Sequence, residues 1–184
     1  IAITDPIREE APQVVSMLRK CGFSKIVMMT GDSERTAEVV AAKVGVDEYY
    51  SEVLPEDKAS YVEKEHQAGR KVIMIGDGVN DSPALSAADV GIAICDGAEM
   101  AREIADITIA GDNLEELVTL KRLSNALVKR IHGNYRQIVG FNTGLILCGI
   151  GGVMQPATSA LLHNTSTLLI AMESMKPLLH EENQ

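Results

Sequence analysis

The run Met74-Ile75-Gly76-Asp77-Gly78-Val79-Asn80-Asp81-Ser82-Pro83 decides how the rest of this chain is read. Val72, Ile73, Met74 and Ile75 make an apolar stretch that enters a Gly-Asp-Gly turn and then a helix start, the pattern of a buried strand followed by a loop. Gly76 and Gly78 allow a sharp backbone turn and leave room for a bulky ligand. Asp81, followed by Ser82-Pro83, has the pattern of a helix N-cap with proline in the first turn. Asp77 and Asp81 then stand just past the carboxyl end of a strand, where open α/β sheets bind their ligands. Two hard oxygen donors at that place suit Mg²⁺, which takes one or two carboxylates together with phosphate oxygens. A bare Gly-Asp-Gly would be an acidic turn capping a helix. The longer run is more specific, and the rest of the chain supplies its partners.

Outward from this run, strands and helices alternate. Residues 1–4 read as a short strand broken by Asp5-Pro6, and a helix follows to about Lys20, stopped by Gly22. A strand at 25–29 leads into Thr30-Gly31-Asp32-Ser33 and a helix over 33–44 that Gly45 ends. A further strand candidate covers 49–53, and Pro55 opens a helix to Gln67, ended by Gly69. Beyond the strand at 71–75 come a helix at 82–88, a strand at 90–94, a helix at 98–104 and a strand at 107–110. The alternation predicts an α/β fold with a parallel sheet and right-handed crossovers. Apolar residues make up 46% and aromatics 3%, so Ala, Val, Ile and Leu must build the core, as in parallel sheets.

The 184 residues allow one domain, or one domain with an appendage. A net charge of −9 argues against nucleic acid as a partner. Cys21, Cys95 and Cys148 contain no Cys-x-x-Cys pair, which argues against a disulfide framework and fits a reducing compartment. The chain opens mid-strand at Ile1 without an initiator Met and is expected to be a fragment.

The character changes after residue 112. Residues 113–137 predict one long helix, amphipathic at first, on which Lys121, Arg122, Lys129, Arg130 and Arg136 cluster. From Ile138 to Met172 there is no Asp, Glu, Lys or Arg, and the run divides at Gln155-Pro156. Each half falls near the lower limit for a membrane-spanning helix. Two buried core helices would be the bland alternative. The basic cluster before the first half and Lys176 after the second favour a transmembrane hairpin with both ends cytoplasmic and Gln155-Pro156-Ala157 as a tight outer turn. The expected domains are therefore 1–112 as an α/β domain, 113–137 as a connecting helix, 138–176 as the hairpin and 177–184 as a cytoplasmic tail.

Three loops follow successive strands: Thr30-Gly31-Asp32, the segment around Pro55-Glu56-Asp57-Lys58, and residues 76–83. Thr30 offers a hydroxyl and nearby N–H groups to a phosphoryl oxygen. Lys58 offers a compact positive charge to neutralise charge growing on that group. Asp77, helped by Asp81, offers a seat for Mg²⁺. Singly these are a turn residue, a solvated helix charge and caps; together on one sheet they form a phosphoryl-transfer set. A nucleophile is missing, because no Asp on an early strand precedes these loops in the right context.

This set resembles the haloacid dehalogenase superfamily, and within it the P-type ATPases. The resemblance rests on Thr30-Gly31-Asp32, Pro55-Glu56-Asp57-Lys58, residues 76–83 and Asp5-Pro6-Ile7-Arg8, and covers essentially the whole chain. It implies a Rossmann-like phosphorylation domain, incomplete here, followed by two transmembrane helices. The family's phosphorylated Asp, in an Asp-Lys-Thr-Gly-Thr run, is not among these residues. The resemblance further implies that Thr30 and Lys58 hold the aspartyl-phosphate, with Gly31 and Asp32 in the same loop as Thr30. Asp77 would bind Mg²⁺, Asn80 and Asp81 would support that site, and Asp5 would sit near the hinge to an ATP-binding domain. The partners implied are the remainder of the same polypeptide, the lipid bilayer and a transported metal. The location implied is a plasma membrane, bacterial, with the phosphorylation domain in the cytoplasm.

Two terminal helices resemble the ending of the heavy-metal-transporting subgroup. Asn142 matches a position in that subgroup's penultimate helix, and His163-Asn164-Thr165-Ser166-Thr167 falls where members carry metal-selecting residues. Copper pumps have Met-Ser there and zinc pumps an Asp, so this chain departs from both and looks closer to members linked to cobalt, zinc or manganese. Imidazole also suits Zn²⁺ and its neighbours better than Cu⁺. The alternative for His163 is a hydrogen bond to a neighbouring helix. Glu173 lies near the cytoplasmic end of the second half, and Cys148, Met154, Met172 and Met175 read as packing residues. Two rival functions remain at this point: a soluble phosphatase of the same superfamily, and a membrane-anchored module that binds phosphate or Mg²⁺ without catalysis.

Overall fold

The structure, a computed structural model, describes residues 7–76, 80–95, 104–110 and 113–179. The expected strand at 1–4, Asp5, Asp77 and most of the expected helix at 98–104 lie outside the described residues. The chain divides into two compact units, Ile1–Thr119 and Leu120–Gln184.

The first unit alternates as the sequence predicts: α1 (Ala11–Lys20), β1 (Val27–Met29), α2 (Glu34–Val44), β2 (Glu48–Tyr50), α3 (Pro55–Gln67), β3 (Ile73–Gly76), α4 (Ser82–Ala87), β4 (Val90–Cys95) and β5 (Ile107–Ala110). Among the described residues every strand pairing is parallel, as expected, and the pairings fall into two groups. β1 pairs with β2, Met28 opposite Tyr49, while β3, β4 and β5 form a second sheet, with Gly76 opposite Ala93 and Ala93 opposite Thr108. Alternation in sequence dictates which segments extend; it does not dictate which edges meet.

Packing explains these elements. On α1 the positions Val14, Val15 and Leu18 share one buried face, and on α2 Ala37 and Ala41 do the same. α2 stops at Gly45, whose φ of 80° is the left-handed conformation that ends helices cheaply only with glycine. The Arg19 guanidinium then fixes this corner: it donates to Asp47 at 2.6 Å and to the Gly45 carbonyl at 2.7 Å. Val62 of α3, Ala84 and Leu85 of α4, and Ile92 and Ala93 of β4 are almost wholly withdrawn from water. Two consecutive buried positions in β4 mark a strand covered on both faces, which is why its sequence does not alternate.

The expected helix at 113–137 continues without a break. α5 runs over Glu115–Ile150, 36 residues, beginning in the first unit and ending in the second. α6 covers Pro156–Ser174. The expected turn at Gln155-Pro156-Ala157 lies earlier, at residues 151–155, with Gly152 at φ 68°; Gln155 is the N-cap of α6 and Pro156 its first residue. Among the described residues no helix is long and apolar enough to cross a membrane. The cause is legible: the charge-free part of α5 spans only residues 138–150, 13 positions, and α6 carries His163 to Thr167 at its middle.

Candidate functional site

Lys58 lies in the first turn of α3. Pro55 opens that helix, and the Asp57 carboxylate reaches back to accept the N–H of the N-cap residue Leu54 at 3.1 Å. α4 begins at Ser82, with Asp81 at its N-cap and proline in its first turn, as expected. The Asp81 side chain, however, makes no cap hydrogen bond. Instead its Oδ1 accepts from the Lys58 ammonium at 2.6 Å, with both side chains largely withdrawn from solvent at 15% and 11% exposure. A close ion pair with little water around it outcompetes a neutral N–H as partner for the carboxylate. The two residues are 23 positions apart, so no local spacing announces the pair.

Gly76 makes this geometry possible. A Cβ built there would fall 2.3 Å from Asp81 Oδ2 and 2.7 Å from Asp81 Cβ. The carboxylate therefore lies against the end of β3, one oxygen on Lys58 and the other toward the glycine. The sequence reading left room at Gly76 for a bulky ligand; in the structure the chain's own Asp81 takes that room.

Thr30 extends the β1–β2 pairing by one step: its N–H donates to the Tyr50 carbonyl at 3.0 Å, and its carbonyl accepts from the Val53 N–H at 3.0 Å. Its hydroxyl donates to Asp32 Oδ2 at 2.9 Å, and the Asp32 N–H donates back to Thr30 Oγ1 at 3.1 Å. Glu52, with a left-handed φ of 51°, closes the loop by donating its N–H to the Asp32 carbonyl at 2.9 Å. The hydroxyl is thus pinned in one rotamer at the end of β1, on an anionic acceptor. Gly31 is exposed beside it. Among the described residues no hydrogen bond or ion pair joins Thr30 to Lys58 or Asp81; each stands at the end of its own strand–helix junction. Asn80 is exposed in the turn before Asp81. Asp5 and Asp77 lie outside the described residues.

The donor chemistry at Asp81 fits Mg²⁺. A carboxylate is a hard oxygen ligand, and its Oδ2 is not held by Lys58. Among the described residues there is no group of three or more His, Cys, Asp or Glu side chains that could hold a metal.

The second unit contains its own polar pair. His163 Nδ1 and Asn142 Oδ1 lie 2.7 Å apart, joining α6 to α5. An amide oxygen only accepts, so Nδ1 is the donor, and in the neutral ring Nε2 is then the nitrogen with a free lone pair. The hydroxyls around His163 turn inward: Thr165 donates to the Leu161 carbonyl at 2.9 Å, and Ser166 and Thr167 donate to the His163 carbonyl at 2.8 and 3.0 Å. Sequence reasoning missed a second contact between these helices. Arg130, read from the sequence only as part of a basic cluster, donates to the carbonyls of Ser174 at 3.2 Å and Pro177 at 2.9 Å and to that of Lys176, while Asn134 donates to Ser174 Oγ at 2.6 Å. The spacing of Arg130 and Asn134, one helical turn, was the available signal.

Comparison with known proteins places these features. Residues 1–89 match the haloacid dehalogenase-like hydrolase family. The chain is 41% identical over 177 residues to a manganese-exporting P-type ATPase of Mycobacterium bovis, covering 96% of this chain and 25% of that protein. It is equally 41% identical over 177 residues to a zinc-exporting P-type ATPase of Mycobacterium marinum, covering 96% of this chain and 24% of the relative. Among solved structures, a zinc-transporting PIB-type ATPase in its E2.Pi state superposes with a TM-score of 0.87 at 32% identity, over 96% of this chain and 29% of the other. The chain spans about a quarter of the length of the curated relatives it matches.

Proposed function

We propose that the chain is the C-terminal part of an ATP-driven pump for a divalent transition metal, working through an aspartyl-phosphate; the match of residues 1–89 to the haloacid dehalogenase-like hydrolase family and the 41% identity to a P-type ATPase over 96% of this chain support the reading. The observation that carries this reading is the Lys58–Asp81 pair at 2.6 Å, held at the junction of α3 and α4 beyond the strand ends. In it an ammonium and a carboxylate are poised together, largely out of water, where charge on a phosphoryl group can be stabilised without reorganisation. Thr30 would supply a hydrogen bond to the same group by giving up its present donation to Asp32 Oδ2. Asp81 Oδ2 and Asp77 would hold Mg²⁺, with Asn80 beside them; the ion would neutralise phosphoryl oxygens. β1 and β3 each pair on one side only among the described residues, which leaves both edges open to a strand bearing the phosphorylated Asp from the rest of the polypeptide. Asp5 would lie toward the ATP-binding domain.

The hairpin of α5 and α6 would enter the membrane, with residues 1–112 cytoplasmic. The inward bonding of Thr165, Ser166 and Thr167 supports this reading, because a helix in lipid must satisfy its polar groups internally. The cargo would meet His163 Nε2, a ligand suited to Zn²⁺, Co²⁺ or Mn²⁺.

The test uses the full-length parent. Lys58→Ala should slow phosphoenzyme formation or breakdown by roughly 10²–10³. Because that change also strands the Asp81 carboxylate, the companion variant Lys58→Ala/Asp81→Asn removes the stranded charge. It should melt near the wild-type temperature and remain equally slow. Near wild-type phosphoenzyme kinetics in either variant would refute the assignment.

A further inference from the structure

From Leu117 to Met172 the chain contains no Asp or Glu, although its net charge is −9. Within that stretch, Lys121, Ser124, Val128, Lys129, His132 and Arg136 line one open groove of about 750 Å³ along α5. Their spacing, steps of three, four or one, returns each to the same side of the helix. Lys129 and Arg136 are exposed, seven residues apart on that side, and no carboxylate among the described residues lies within ion-pair distance of either. The stripe ends at Arg136, two positions before the charge-free stretch begins at Ile138. Arg130 points elsewhere, to the carbonyls at the end of α6, and so is not part of the stripe.

We infer that this face of α5 is a docking surface for the phosphate headgroups of anionic phospholipids. Two features on one face select that occupant. The uncompensated charges of Lys129 and Arg136 attract the phosphodiester, and Ser124 adds a hydroxyl to the same face. Continuity with the charge-free run of α5 sets the depth at which the headgroup meets them. A polybasic segment beside a membrane gains about fivefold in anionic-lipid binding per Lys or Arg near the surface. The inference rests on the proposed membrane hairpin, and its test separates the two.

The 184-residue chain is reconstituted into vesicles of phosphatidylcholine, alone or with a minor fraction of phosphatidylglycerol. Resistance to carbonate extraction is measured first. Polymer-excised discs around the protein are then analysed for phosphatidylglycerol relative to the bulk vesicle. The wild-type chain should be carbonate-resistant in both compositions and its discs enriched at least about twofold. Lys129→Gln/Arg136→Gln should stay inserted but return to bulk composition, while Arg35→Gln/Lys43→Gln, a charge-matched change on α2, should keep the enrichment. Insertion with no enrichment, or enrichment that survives in the Lys129/Arg136 variant, overturns the headgroup site and leaves the hairpin standing. Extraction of the wild-type chain by carbonate from both compositions overturns the hairpin and this inference together.

Discussion

At Gly76 a single missing carbon governs the candidate site. The Asp81 carboxylate lies where an alanine methyl would be, so Gly76→Ala must push it off the strand end and off Lys58. The expected cost is about 1–3 kcal/mol of stability, the range for overpacking, read as a lower melting temperature of this chain. In the full-length parent the same variant should lose phosphoenzyme turnover beyond what the stability loss explains; unchanged turnover would detach Gly76 and Asp81 from the chemistry. Glu65 illustrates a different use of a carboxylate. It is buried in α3, and the Arg70 guanidinium, with Lys25 at 3.6 Å, holds its pKa down to about 2 against the ordinary 4.5. A depressed folded-state pKa adds stability that is fully present above about pH 4.5 and is lost as pH falls toward 2. Glu65→Gln should therefore melt lower than wild type at neutral pH, and the gap should close between pH 4.5 and 2. A gap independent of pH would mean that Glu65 contributes only through packing. The loops that carry Thr30, Lys58 and Asp81 were legible at the ends of their strands. Their partners were not, because the Lys58–Asp81 contact is set by tertiary packing and a backbone approach at Gly76, neither of which leaves a local pattern.

The elements of the first unit were legible because each has both a period and a punctuation mark: apolar faces on α1 and α2, glycine after α2 and α3, proline opening α3 and α4. Boundaries moved by one to three residues, and β2 formed at Glu48–Tyr50 ahead of the expected 49–53, because Glu52 turns left-handed and ends it. The expected domain boundary at residues 137 and 138 falls inside α5, which runs through it for a physical reason. A change from charged to uncharged residues alters the solvent a helix prefers, but not its backbone hydrogen bonds, so Gln137 to Ile138 needs no break. α6 shows the consequence of a polar run placed mid-helix: mean apolarity falls, while the hydroxyls fold back onto carbonyls and leave His163 tied to Asn142. In the full-length parent, His163→Ala should reduce metal-stimulated ATPase activity while phosphorylation from inorganic phosphate largely survives. Both are measured in one membrane preparation with Zn²⁺, Co²⁺, Mn²⁺ and Cu⁺ compared. Unchanged metal activation would leave His163 as the hydrogen-bonding partner of Asn142 and nothing more, and loss of both activities would mark a folding defect.

At the scale of the whole chain, the parallel pairing that the sequence predicted is present, and among the described residues it falls into a two-stranded and a three-stranded sheet. Strand periodicity reports burial, whichever sheet a strand joins; the identity of a neighbour depends on segments far away in sequence. That division bears on activity. The residues that would receive and polarise a phosphoryl group are present, but the Asp-Lys-Thr-Gly-Thr run that would carry it is not among these 184 residues. Electrostatic stabilisation accelerates a step only when a nucleophile and a substrate are positioned to take it. The purified chain should therefore show no metal-stimulated ATP hydrolysis with Zn²⁺, Co²⁺, Mn²⁺ or Cu⁺ in the presence of Mg²⁺, and should not be labelled by the γ-phosphate of ATP. Supplying the remainder of the polypeptide, with its own Asp-Lys-Thr-Gly-Thr run, should restore labelling, and Lys58→Ala in this chain should slow the restored labelling. Robust turnover by the 184 residues alone would mean that one of their own side chains serves as the nucleophile, and the phosphorylation site would then have to be sought among the carboxylates of the first unit.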